Sequence, residues 1–207
     1  VDLYPLELAI QETPLDEKNI INKTDIGGPA MLSSGAKGRR IVICDPKDRQ
    51  KVMEWIETGE PDKKEFIKML SAKADYIISK YKLLSAEFHS KGKYSGIIGE
   101  SHKELRYGEN AIQVPANLYK TNTTDSLALQ NFKMHIGNPS LINIADIDRT
   151  LQTITHINAA LDVNNKPKQY TGVAVKHGNP CGASISISPI DAVKKMIDGN
   201  RRSIFGG

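Results

Sequence analysis

Between positions 66 and 84, the residues Phe66, Met69, Leu70, Ala74, Ile77, Ile78, Tyr81 and Leu84 recur three and four positions apart. That spacing places all eight on one stripe of an α-helix. It predicts a long amphipathic helix opening at Pro61. The stripe reads as core packing and not as a cofactor site, so neighbouring elements have to cover it.

Upstream, Pro29 to Lys37 reads as one short helix, with Pro at a first helical position. Arg40 to Asp45 holds a four-residue apolar run that predicts a buried strand. Asp45-Pro46 then supplies a cap and an opening Pro for a helix running to about Glu57, with a stop at Gly59. The Gly-, Lys- and Ser-rich stretch Ser90 to Glu104 reads as a loop or linker, which places a domain boundary near residue 102. Beyond it, Ala145 to Leu161 reads as a helix and Thr171 to Val175 as a strand. Gly178-Asn179-Pro180 and Gly182 read as a turn, and Pro189 to Ile197 as another helix. Strand and helix alternate in both halves, so the fold class is α/β or mixed α+β. No internal repeat or low-complexity tract is visible.

Composition narrows the function classes. The chain has 207 residues and a net charge of +4, and its 28 basic residues are interleaved with 24 acidic ones. No dense basic block marks a nucleic-acid arm. The mild excess fits a plain solvated surface, or an active surface that handles phosphates or carboxylates. No run reaches the roughly 18–20 apolar residues of a membrane helix, and no secretory signal is visible in this stretch of sequence. There is no initiator Met, and Val1-Asp2-Leu3-Tyr4 reads like the end of a strand entered midway, so the chain is expected to be incomplete. Cys44 and Cys181 form neither a zinc pattern nor a disulfide framework, which fits a reducing, cytoplasmic setting. Cys44 is expected to be a small buried residue of the strand.

Two segments could carry chemistry. Val173-Ala174-Val175 runs into Lys176-His177 and a glycine turn. Such strand ends are where α/β proteins place ligands. His177 could exchange a proton near neutral pH, and Lys176 could steady negative charge on an oxygen. By chemistry alone, ordinary loop residues at a strand end are the commoner case for such a pair. The second segment is Asp25-Ile26-Gly27-Gly28-Pro29, where two glycines precede a helix. Its first N–H groups could meet a phosphate or a carbonyl oxygen, although a plain turn also fits. Lys37 follows Pro29 by eight residues, about two helical turns.

Taken in order, these pieces resemble the bifunctional purine biosynthesis family, which couples AICAR formyltransferase with IMP cyclohydrolase. Tyr4-Pro5, Asp25 to Pro29, Ala36-Lys37 and Asp45-Pro46 look like its cyclohydrolase part. Leu105 to Asn110, Asn143 to Asp146, Val175 to Gly182 and Ser203 to Gly207 look like the opening of its transformylase part. The resemblance spans nearly the whole chain and is weaker between about residues 47 and 100. It implies that residues 1–101 are the C-terminal portion of a cyclohydrolase α/β domain. Residues 102–207 would be the N-terminal portion of a cytidine-deaminase-like transformylase domain.

The resemblance also implies roles. Lys176 and His177 match the pair that moves protons during formyl transfer, and Arg106, Tyr107 and Asn143 match ribonucleotide-binding positions. Gly206 and Gly207 would line the same pocket. Tyr4, Asp25 and Lys37 match the ring-closing site, with the Gly27–Gly28 backbone and Lys37 as donors to the developing oxyanion. The implied co-substrate is 10-formyltetrahydrofolate, with no metal. The implied ligands are AICAR, FAICAR, IMP and folate, with no nucleic acid or membrane, in a cytoplasmic homodimer. Asp2, Ser33, Gly38 and Ile112 depart from the family pattern, the last where a His is usual. They keep open a non-catalytic purine-ribonucleotide-binding homologue, or an enzyme retaining only formyl transfer. This segment alone is expected to be inactive.

Overall fold

The computed structural model describes residues 1–121, 123 and 125–204. The chain forms two compact units, Val1–Ile98 and Gly99–Gly207. Among the described residues, no helix is long and apolar enough to cross a membrane.

The first unit is helical: α1 (Leu6–Gln11), α2 (Glu17–Asn22), α3 (Gly27–Lys37), α4 (Asp48–Glu57) and α5 (Lys63–His89). The apolar stripe is the buried face of α5, where Leu70, Ala74 and Tyr81 lie in the interior. Leu32 of α3 joins Val42, Cys44 and Ala74 in one cluster, with Ile77 and Ile78 against it. A second cluster joins Leu6, Ala9 and Ile20 to Tyr81, with Leu84 and Phe88 at its edge. Phe66 at the near end of the stripe stacks on Trp55 of α4, ring centroids 4.3 Å apart. Met69 is the exception, exposed beside Lys51, whose ammonium lies 3.4 Å from its sulfur.

The segment from Arg40 to Asp45 is not a strand. It pairs with no strand among the described residues, although burial alternates as in a strand, with Val42 and Cys44 inside and Ile41 outside. A ladder needs a neighbour to bond; here the carbonyl of Ile43 accepts from the Val1 ammonium instead. The next helix starts at Asp48 rather than at Asp45-Pro46. Asp45 spends its carboxylate on the N–H of Lys47, and its carbonyl on that of Asp48, in a preceding turn.

The second unit mixes antiparallel strands and helices: β1 (Glu100–Leu105), β2 (Ala116–Lys120), α6 (Leu141–Val163), β3 (Tyr170–Lys176), β4 (Asn179–Ser186) and α7 (Pro189–Gly199). β1 pairs with β2, and β3 with β4. Both α6 and α7 pack on the β3–β4 hairpin. The mixed α/β class therefore holds for the chain. Two expectations fail. Glu100–Leu105 is a strand where a linker was expected, because pairing with β2 outweighs its polar composition. Residues 179–182 belong to β4 and not to a turn.

Candidate functional site

The loop into α6 is shaped by its start. Ser140 caps the helix, accepting from the N–H of Asn143, while Asn143 Oδ1 accepts from the N–H of Ser140. This reciprocal box starts α6 four residues before the position read from the sequence. The chain carrying Arg106 and Tyr107 is tied alongside: Arg106 N–H donates to Pro139 O, and Leu141 N–H to Tyr107 O. The Arg106 guanidinium lies over the Tyr107 ring, 4.8 Å from its centroid, and donates to its hydroxyl. Three of the expected nucleotide-binding residues thus gather at one end of α6.

One turn further along α6 is Asp146, on the same face as Asn143. Both line a cleft of about 830 Å³ between α6, β3 and α7. Val173 to Lys176 form one wall, and Met196 and Ile204 close the far side. Lys176, half-buried at the end of β3, therefore shares a cleft with Asn143. His177 does not line it. It occupies the two-residue turn between β3 and β4, exposed, with φ of 52°. Gly178 follows at φ 73°. Two positive φ values in succession are the pattern of a type I′ turn. Asp146 Oδ1 accepts from the N–H of Gly178 at 2.7 Å, and Asn179 Nδ2 donates to His177 O at 3.0 Å. Neither contact was foreseen from the sequence.

A bulge follows the turn. Ala174 faces Gly182 and Val175 faces Pro180, which leaves Cys181 as the extra residue, its thiol donating to Ala174 O. Gly206 and Gly207 lie outside the described residues.

In the first unit, Asp25 is a buried hub. Its Oδ1 accepts from the N–H of Gly28 at 2.7 Å, and its Oδ2 from that of Tyr4 at 3.4 Å. Its own N–H donates to the Tyr81 hydroxyl at 2.7 Å, which in turn donates to Lys23 O at 2.8 Å. Burial pushes the Tyr81 hydroxyl up from its ordinary value, and the Asp25 carboxylate adds to that rise while the Asp25 N–H opposes it. Tyr81 is the one member of the apolar stripe with a hydroxyl, and a buried hydroxyl needs partners, which is the signal the sequence offers for this role. The Tyr4 ring is exposed and flanks a shallow cleft with Leu3, Lys80 and Leu84. Asp25, Tyr4 and Gly28 come together; Lys37 does not join them. It is the last residue of α3, exposed, ten residues from Gly27. At the helical rise that separates them by about 15 Å.

Lys73 of α5 bridges Asp45 and Asp48 at 2.9 and 2.7 Å. Burial lowers its ammonium, but hydrogen bonds and charges from both carboxylates outweigh that and hold it above its ordinary value. This triad fastens the start of α4 to α5. Among the described residues, no group of three His, Cys, Asp or Glu side chains is placed to hold a metal ion.

A family model described as the AICARFT/IMPCHase bienzyme matches residues 37–207. The bifunctional purine biosynthesis protein PurH of Brachyspira hyodysenteriae is 33% identical over 219 residues, covering 100% of this chain and 41% of that protein. PurH of Oceanobacillus iheyensis is 34% identical over 217 residues, covering 100% of this chain and 40% of its own length. PurH of Fusobacterium nucleatum is 33% identical over 214 residues, with the same coverage. The chain spans about two fifths of the length of the curated relatives it matches.

Proposed function

The chain belongs to the AICARFT/IMPCHase bienzyme family, and on that premise we propose that the complete protein carries out the last two steps of purine-ring synthesis. It transfers a formyl group from 10-formyltetrahydrofolate to the 5-amino group of AICAR, then closes the product, FAICAR, to IMP. Residues 1–101 belong to the cyclohydrolase domain, and residues 102–207 open the transformylase domain, of cytidine-deaminase-like fold. The observation that carries this reading is the cleft in which Asn143 of α6 and Lys176 of β3 meet, with His177 next in sequence, exposed in the turn that follows β3.

The family resemblance and the shared cleft support the following roles. The AICAR amine is conjugated with the ring and is a weak nucleophile. His177 takes its proton as the nitrogen attacks the formyl carbon. The bond from that carbon to the folate nitrogen then breaks, and the folate nitrogen takes up a proton. Lys176 steadies charge on the formyl oxygen or delivers that proton. Asn143 meets the carboxamide, and Arg106 and Tyr107 hold the ribonucleotide, a guanidinium being suited to phosphate. Gly206 and Gly207 complete the same pocket. No metal enters. The complete protein works as a cytoplasmic homodimer, and these 207 residues alone do not turn over.

In ring closure the carboxamide nitrogen attacks the formyl carbon and water leaves. The Gly27 N–H and Tyr4 face that step, the Gly28 N–H being taken by Asp25. Asp25 acts by placing them, because its carboxylate is committed to Gly28 and Tyr4. Lys37, at the other end of α3, cannot donate to the same oxygen as the Gly27 N–H and meets another part of the substrate. The separation of Lys37 from Gly27 also favours a second reading, a protein that retains formyl transfer only. The test is to supply the complete protein with AICAR and 10-formyltetrahydrofolate, and separately with FAICAR. IMP from both supports the two-step reading. FAICAR accumulating from the first supports the second reading. Nucleotide binding without any turnover overturns both.

A further inference from the structure

We propose that Asp146 is the positioning residue of the Lys176–His177 pair, acting through the backbone N–H of Gly178. The idea rests on the formyl-transfer reading of the cleft but stands on its own geometry. The two central residues of a tight hairpin turn have no ladder partner for their N–H groups, which are left to water or to another acceptor. Asp146 Oδ1 supplies one to Gly178 at 2.7 Å, across 32 residues of sequence. The bond fixes a turn in which a residue with a β-carbon, His177, sits at positive φ. The clamp on the other side is short-range, Asn179 Nδ2 to His177 O. The Asp146 contact ties the turn to the helix that carries Asn143.

The consequence is directional. Asn143 and Asp146 lie one turn apart on α6, and both face the cleft that Lys176 enters. A ligand seated against Asn143 therefore meets a Lys176–His177 pair whose placement is set by the same helix face. Without the clamp, the two-residue turn can swing relative to α6 while β3 and β4 stay paired. His177 then loses its alignment with the substrate amine, although the nucleotide-binding groups are untouched.

The test compares the complete protein with Asp146→Ala, Asp146→Asn and Gly178→Ala. An amide oxygen can still accept from Gly178, so Asp146→Asn keeps the clamp. Alanine strains the turn at residue 178. Asp146→Ala is expected to lower kcat for formyl transfer by about a hundredfold, the scale of a misplaced reacting group, with KM for AICAR little changed. Asp146→Asn recovers most of that loss, and Gly178→Ala reproduces it. A loss confined to KM, or an Asp146→Asn variant as slow as Asp146→Ala, overturns the proposal. If Asp146→Ala fails to fold, Asp146→Asn and Gly178→Ala decide. Hydrogen exchange at the Gly178 amide separates this idea from the formyl-transfer reading, since it needs no activity. Protection lost in Asp146→Ala and kept in Asp146→Asn supports the clamp even in a protein that transfers no formyl group. Protection equal in all three overturns it.

Discussion

Asp25 and Gly28 are fitted so closely that a β-carbon on residue 28 would lie 2.5 Å from Asp25 Oδ2. The same β-carbon would lie 2.7 Å from a Leu3 methyl. The missing side chain lets the start of α3 approach the carboxylate and donate its N–H. Gly28→Ala forces the hub apart and is expected to destabilise the first unit by about 1–3 kcal/mol, the range for overpacking a filled site. Urea unfolding followed by Trp55 fluorescence measures it. An unchanged midpoint would mean that the hub yields freely.

Tyr81→Phe removes one hydroxyl and strands two backbone groups, the N–H of Asp25 and the carbonyl of Lys23. Leaving buried partners unsatisfied costs about 1–3 kcal/mol. The same unfolding measurement should show the loss, with α-helical circular dichroism unchanged before the transition. A cost near zero would indicate that water replaces the hydroxyl.

Acid should loosen the first unit through Asp45. The N–H of Lys47, and next the Lys73 ammonium, hold its carboxyl below the ordinary carboxylate range. The folded pKa is thus below the unfolded value of about 3.9. The stabilisation is fully present above that unfolded value and is lost as pH falls through the folded one. Asp45→Asn should therefore lower the unfolding midpoint clearly at about pH 6, and the gap to the wild type should close as pH falls below about 3.9. A gap that is the same at both ends rules out the carboxylate as its source.

The sequence made the helices more legible than the strands. The stripe from Phe66 to Leu84 announces α5 because a helix face repeats without outside help. β1 is different: Glu100-Ser-His-Lys-Glu-Leu buries only Leu105, so no alternation marks it, and pairing with β2 decides it. The run Ile41 to Cys44 has the apolar content of a strand, but a strand exists only with a neighbour to bond. The start of α6 was missed because Ser140 is answered by Asn143 and not by the more familiar Glu or Gln. At the site, Lys176 and His177 stand out as polar residues ending an apolar strand. The Asp146–Gly178 bond does not, since no spacing rule links residues 32 apart.

The Ser140 box gives a further check. Ser140→Ala should cost about 1 kcal/mol and should weaken nucleotide binding along with stability, because Arg106 and Tyr107 are tied to the residues flanking that cap. Calorimetric titration of the complete protein with AICAR, beside its thermal midpoint, reads both. A stability loss with unchanged affinity would separate the cap from the binding residues.

Formyl transfer to a nucleotide amine depends, in our proposal, on Lys176 in the cleft of the second unit and on His177 in the turn that follows β3. Single-turnover transfer from 10-formyltetrahydrofolate to AICAR by the complete protein tests it most directly, in wild type, Lys176→Ala and His177→Ala. Measurable transfer is expected in the wild type, with a loss of roughly a hundredfold or more in each variant, the scale of a removed proton-transfer group, and AICAR still bound. Transfer in either variant within a few-fold of the wild type would contradict it.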